Sequence, residues 1–166
     1  MPQHVALIPI DAACANLIAQ SPELFAQRHG IAVDGAGEHM RAVIGMTPVP
    51  MLQNGAWGTF FAFDTATKTV VGSCGFTAPP DAARTVEIAY FNFPPREGLG
   101  WATAMAYALT TRAIASAEID SVVAHTLPET NASTRILEKS GFARDGEAVD
   151  PDAGPVCRWR LNLLSR

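Results

Sequence analysis

The sequence predicts an α/β (α+β) fold, one mixed sheet of about seven strands with helices on its faces. Three observations carry this. Strands and short helices mix in the first half, and a strand–helix–strand–helix–strand–strand order fills the second. An alanine-rich stretch between them is apolar around most of its helical circumference, so it must be buried on more than one side. The 166 residues, 48% of them apolar and 17% charged, suit one domain with a core of its own and rule out wholesale disorder.

In chain order, residues 4–9 form the first strand. Residues 11–37 hold two helices: Asp11 can cap the first, and Ser21-Pro22-Glu23 opens the second with a cap and a first-turn proline. Residues 38–44 are a third short helical segment, and 47–55, with two prolines and a glycine, are irregular. Residues 57–64 and 69–76 read as strands joined by a short polar loop, with Trp57, Phe60, Phe61 and Phe63 as core. Pro79-Pro80-Asp81 breaks the chain before a strand at 85–93, which Pro94-Pro95 must end because proline cannot continue a ladder. The alanine-rich helix covers 101–117. A strand at 121–126 follows, then a helix at 131–140 closed by Gly141 in the C′ position. The last two strands are 142–149 and 156–164, with Asp150 and Asp152 as turn-formers between them.

Twelve Lys plus Arg against sixteen Asp plus Glu leave a net charge of −4. Such a chain lacks the basic face a nucleic-acid backbone needs, so no nucleic-acid partner is expected. A small anion is a different matter, since backbone N–H groups hold phosphate without net positive charge. Cys14, Cys74 and Cys157 are odd in number, far apart and without a CxxC pair. That is neither a disulfide framework nor a zinc spacing; buried free thiols in a reducing compartment, and no metal, are the expectation. Residues 1–20 have no positive start and carry Asp11 inside their apolar stretch, unlike a secretory signal. No uncharged run is long enough to span a bilayer. A soluble, cytoplasmic protein without a membrane partner is expected.

The most informative stretch runs from Val86 to Thr103: a strand, a turn bearing Gly98 and Gly100, and the start of the buried helix. Glycines there let the backbone approach a ligand closely, and the first-turn N–H groups with the positive end of the helix dipole suit a pyrophosphate. On their own the glycines are equally a tight strand-to-helix connection. The stretch is not a P-loop, having no Gly-Lys-Ser/Thr, and it lacks the third glycine of a dinucleotide-binding fingerprint.

Gly98-Leu99-Gly100-Trp101-Ala102-Thr103, after a strand containing Glu87-Ile88-Ala89-Tyr90, resembles the acetyl-CoA pyrophosphate loop of the GNAT N-acetyltransferase superfamily. Downstream, the segment from Asn131-Ala132-Ser133 through Leu137-Glu138-Lys139-Ser140-Gly141-Phe142 resembles that of the ribosomal-protein N-acetyltransferase-like branch, at the family's separation. The likeness runs from Trp57 to Leu164 and is weak over residues 1–56.

This resemblance implies one GNAT-like domain over residues 1–166: an N-terminal strand and acceptor-covering helices in 1–56, and an acetyl-CoA-binding core in 57–166. The sheet would be mostly antiparallel, with a central parallel pair, 85–93 and 121–126, splayed around the thioester. By the same resemblance, unpaired backbone groups at Phe91, Asn92 and Phe93 meet the pantetheine and the acetyl carbonyl. Gly98, Leu99, Gly100, Trp101, Ala102 and Thr103 hold the pyrophosphate. Glu97 departs from the Gln or Arg usual at the start of that loop, and Arg96 beside it is a compensating charge.

The implied activity is transfer of an acetyl group from acetyl-CoA to a primary amine, a protein N-terminus or a small molecule. It requires a base for the ammonium and an acid for the leaving thiolate. Glu87 is the first choice of base, since a half-buried strand position desolvates a carboxylate; the alternative is a solvent-facing strand residue. If Val86, Ile88 and Tyr90 form the core face, Glu87 turns toward the cleft. Ser133 is implied as the thiolate's proton donor, or is a local capping residue. Asn131 binds pantetheine, caps its helix, or does both. His125 can relay protons or serve a structural role. His29, His39, Glu38 and Arg41 belong to the region that covers the acceptor, and Asp150 and Asp152 would attract a cationic amine if their turn faces the cleft.

The helix at 131–140 lacks the tyrosine many such enzymes use as the acid. With Glu97, this motivates the alternative of a non-catalytic acyl-CoA-binding sensor. Paired edges of such a sheet allow a homodimer, though no surface patch compels one.

Overall fold

A computed structural model describes residues 2–163. The N-terminal strand β1 (Val5–Pro9) is followed by three helices, α1 (Ala12–Gln20), α2 (Pro22–His29) and α3 (Gly37–Met46). Asp11 caps α1 as expected, its Oδ1 accepting the N–H of Cys14 at 2.8 Å. Pro22 stands in the first turn of α2, where its missing N–H costs nothing. The Ser21 hydroxyl makes no capping bond and donates to Glu23 at 2.7 Å. The stretch expected to be irregular forms two short 3-10 turns, Val49–Gln53 and Gly55–Trp57.

β2 (Thr59–Asp64) and β3 (Val70–Phe76) make the predicted hairpin, Asp64 holding its loop through the Ala66 N–H and the Thr67 hydroxyl. Trp57, expected to open β2, belongs to the 3-10 turn, and its ring meets Phe76 edge-on at 4.9 Å. β4 (Thr85–Asn92), α4 (Trp101–Ile114), β5 (Ser121–Thr126), α5 (Ala132–Lys139), β6 (Ala143–Asp150) and β7 (Gly154–Asn162) complete the chain. The predicted end of the last strand at Leu164 lies outside the described residues. α4 stops a turn short of its predicted end at 117: the Ala117 carbonyl, instead of joining the helix, accepts from the Arg84 guanidinium, which also grips Asp120 at 2.8 Å.

The strands lie in the order β1-β2-β3-β4-β5-β7-β6, and every neighbouring pair is antiparallel except β4–β5. β3 is buried throughout, as befits a strand covered on both faces. One core lies under α4 and α5 and contains Phe60, Met105, Leu109 and Leu137; a second lies under α1–α3 and contains Ile18, Phe25, Met40 and Phe61. No helix among the described residues is long and apolar enough to cross a membrane.

Candidate active site

The sheet opens at its centre. β4 and β5 pair at three positions only, Thr85 with Ser121, Val86 with Val122 and Glu87 with Val123. β4 continues to Asn92 and β5 to Thr126, so beyond Glu87 the strands part and leave a gap with Glu87 at its apex. Strand alternation gives the gap two sides. Val86, Ile88 and Tyr90 pack on the core under α4, which turns Glu87, Ala89 and Phe91 to the α1–α3 face.

At the apex, Glu87 Oε1 lies 2.8 Å from His125 Nδ1, and the Thr77 hydroxyl donates to Glu87 Oε2 at 3.2 Å. A carboxylate only accepts, so Nδ1 carries the hydrogen and, in the neutral ring, Nε2 offers its lone pair. The side chains are 33% and 27% exposed, within reach of a solute. Asp150 is the turn-former expected, its Oδ1 accepting from the N–H groups of Asp152 and Ala153 at 2.8 Å. Those bonds hold its carboxyl below the ordinary range, and the neighbouring His125 charge adds to the effect.

The mouth of α4 is open. Gly98 and Gly100 have φ of 74° and 86°, where a side chain would be strained, and Gly100 as N-cap offers no capping side chain. The first-turn N–H groups of Trp101, Ala102 and Thr103 therefore face the loop at the positive end of the helix. Leu99, Gly100 and Thr103 line a cavity of about 920 Å³ that continues along α4 past Tyr107 to Lys139 and Ser140. Asn92 Oδ1 and Trp101 Nε1 are buried without a partner among the described residues. Burying such groups unpaired costs about 1–3 kcal/mol each, which a ligand amide would relieve.

The predicted strand-end contacts need correction. Within an antiparallel ladder a residue sends its N–H and C=O to the same side. The Phe93 N–H is spent on the Val71 carbonyl at 3.0 Å, and Phe91 stands in step with it, so both face β3. Phe93 is fully buried in the core under α1–α3, where His39 stacks on it at 5.5 Å. Of the three predicted residues only Asn92 turns its backbone into the gap, joined by Tyr90 and Ile88. Arg96 pairs with Asp34 of the α2–α3 loop, away from Glu97. His29 packs on Phe25 at 4.6 Å.

Residues 7–143 match the family model described as acetyltransferase (GNAT) domain. The chain belongs to the GNAT acetyltransferase family. No curated protein matches it in sequence. Solved GNAT-type structures match along nearly its whole length at low identity. A GNAT-family acetyltransferase from Bacillus anthracis superposes with a TM-score of 0.65 at 15% identity, over 98% of this chain and 97% of that one. A chimera of the Vibrio cholerae spermidine N-acetyltransferase SpeG and hSSAT gives 0.64 at 15%, over 98% and 99%. The RimL ribosomal alpha-N-protein acetyltransferase in complex with coenzyme A gives 0.65 at 16%, over 96% and 94%.

Within this GNAT domain two site features escaped sequence reasoning. His125 faces Glu87 only because parallel pairing brings together residues far apart in sequence. Tyr90, quoted in the strand motif but given no role, places its phenol close enough to Ser133 for the serine side chain to influence it. Burial pushes the Tyr90 phenol up, and the Ser133 side chain partly opposes this. Its signal was its parity with Val86 and Ile88, which aims it at the α5 side. Asn131 is the cap of α5 in a full capping box: its Oδ1 accepts the Thr134 N–H at 3.1 Å, and its own N–H donates to the Thr134 hydroxyl at 3.0 Å. All three cysteines are free and buried. No group of metal-ligating side chains occurs among the described residues.

Proposed function

We propose that the chain transfers the acetyl group of acetyl-CoA to a primary amine, a protein N-terminus or a small molecule, by direct attack. The observation that carries this is the three-rung parallel ladder opening at a carboxylate–imidazole pair. In this reading the amides of Gly98 to Thr103 hold the diphosphate, Asn92 and Trp101 offer their unpaired atoms to the pantetheine, and Lys139 is a cation for a further phosphate on the cavity wall. Residues 57–166 are thus the coenzyme-binding core and 1–56 the acceptor cover of one domain.

Bound there, acetyl-CoA supplies an activated thioester in the gap. Glu87 with His125 removes a proton from the acceptor ammonium, freeing the lone pair for the carbonyl carbon. As the C–N bond forms and the C–S bond breaks, Tyr90, relayed or oriented by Ser133, gives a proton to sulfur and regains one from the nitrogen, which sheds its second proton to become the neutral amide. A phenol kept protonated by burial suits that task. A covalent acyl-enzyme is not part of the reading: burial pushes the Cys14 and Cys74 thiols up to about 12, so neither is a thiolate near neutrality. Tyr90 also removes the main motive for a non-catalytic sensor, the missing tyrosine of α5.

Both kinds of acceptor have a similar protein behind them, spermidine for SpeG and a ribosomal protein for RimL. The test is release of free CoA from acetyl-CoA in the presence of N-terminal peptides, polyamines, amino acids or aminoglycosides. Amine-dependent release is expected, and silence across all four classes overturns the proposal.

A further inference from the structure

The acetyl-transfer reading leaves open which amines are taken, and the face that carries Glu87 bears on this. Beside Glu87 lies a shallow slot of about 180 Å³. Its floor is built from small residues, Ser73 and Gly75 of β3 and Ala89 of β4, and Met51 of the first 3-10 turn borders it. The floor cannot be filled from below. A Cβ on Gly75 would stand 2.5 Å from the Gly58 carbonyl oxygen, so the lead-in to β2 keeps this position a glycine.

The slot adjoins the chemistry directly. Thr77 in its wall is the residue whose hydroxyl donates to Glu87. Ala89 sits two residues from Glu87 on the same face of β4, roughly 7 Å along the strand. At ~30 Å³ per water the volume admits about six water-sized groups, a short side chain or one small ring but not a fused ring system. Among the described residues none of its walls is charged, and its polar side chains are hydroxyls.

We propose that this slot receives the group adjacent to the acceptor's amine, resting on the acetyl-transfer reading, and that Met51 and Ala89 set the size it admits. A small uncharged or hydroxyl-bearing group enters. A fused ring does not fit, and a second ammonium would meet no carboxylate among the slot's walls.

The test compares kcat/KM for three probes, tripeptide amides beginning with Ser and with Trp, and spermidine, in the wild type, Met51→Ala and Ala89→Leu. CoA affinity is measured by calorimetry in each. The wild type is expected to prefer the Ser peptide over the other two. Met51→Ala should shrink the Ser-over-Trp ratio about tenfold, the scale on which pocket volume discriminates. Ala89→Leu should lower kcat/KM for the Ser peptide about tenfold with CoA affinity unchanged. Spermidine as the best wild-type acceptor, or a Ser-over-Trp ratio that neither substitution moves, overturns the slot while acetyl transfer stands. A wild type that binds CoA and turns over none of these or of the wider amine panel overturns both.

Discussion

Glu87 stands at the last rung of the parallel ladder, where a side chain is held by pairing on one side and open to a ligand on the other. Glu87→Gln keeps the shape and removes the proton acceptor. It should lower kcat by about 10²–10⁴-fold, the usual worth of a general base, while calorimetric CoA affinity is retained. The face of Glu87 was legible once Val86 and Ile88 are taken as core, though alternation left open whether that face meets the cleft or solvent. Its partner was not, since His125 lies on a different strand and pairing register leaves no local trace. The buried cysteines give a second expectation. Cys74 keeps its proton up to about 12 in the folded state, whereas an unfolded thiol ionises near 9.0. Between those values the folded chain binds more protons, so this contribution to stability is complete below pH 9.0 and lost as pH rises toward 12. Denaturant titrations of Cys74→Ala should show a flatter decline of stability over that window than the wild type.

At the scale of elements, α4 and α5 both begin where function is proposed, but their first turns are built differently. α4 begins on a glycine with its amides open; α5 begins on a closed capping box. Thr103→Glu, at an exposed first-turn position, separates ligand binding from folding. A carboxylate there favours the helix by about 0.3–1 kcal/mol through the dipole, yet repels a diphosphate. Melting temperature should hold or rise while CoA affinity falls. Asn131→Ala should cost about 1 kcal/mol of stability in chemical denaturation, because it leaves first-turn donors of α5 unsatisfied. Both helix starts were readable from Gly100 and Asn131. The end of α4 was not, because it depends on Arg84 capturing the Ala117 carbonyl from the turn before β4.

The whole molecule is a sheet between two cores, and β2 shows how the sequence divides them. Phe60 and Phe61, adjacent in the chain and both fully buried, enter opposite cores. Either substitution to Ala should cost about 3–5 kcal/mol, a large share of a domain's typical stability, read as a lowered denaturation midpoint. The number of strands and their sequential order were legible from alternation and proline breaks. The insertion of β7 between β5 and β6 was not, because alternation records which face a residue takes and says nothing of its neighbour strand. At the sheet edge, β6 carries a register shift between Arg144 and Glu147 and many charged side chains, a pattern that discourages edge-to-edge association. The brevity of the β4–β5 ladder has a kinetic corollary. In the proposed reaction, a sheet perforated at its middle would give the coenzyme and the amine separate doorways on opposite sides, so neither would have to depart before the other arrives. Double-reciprocal plots at several fixed amine concentrations should therefore cross, not run parallel.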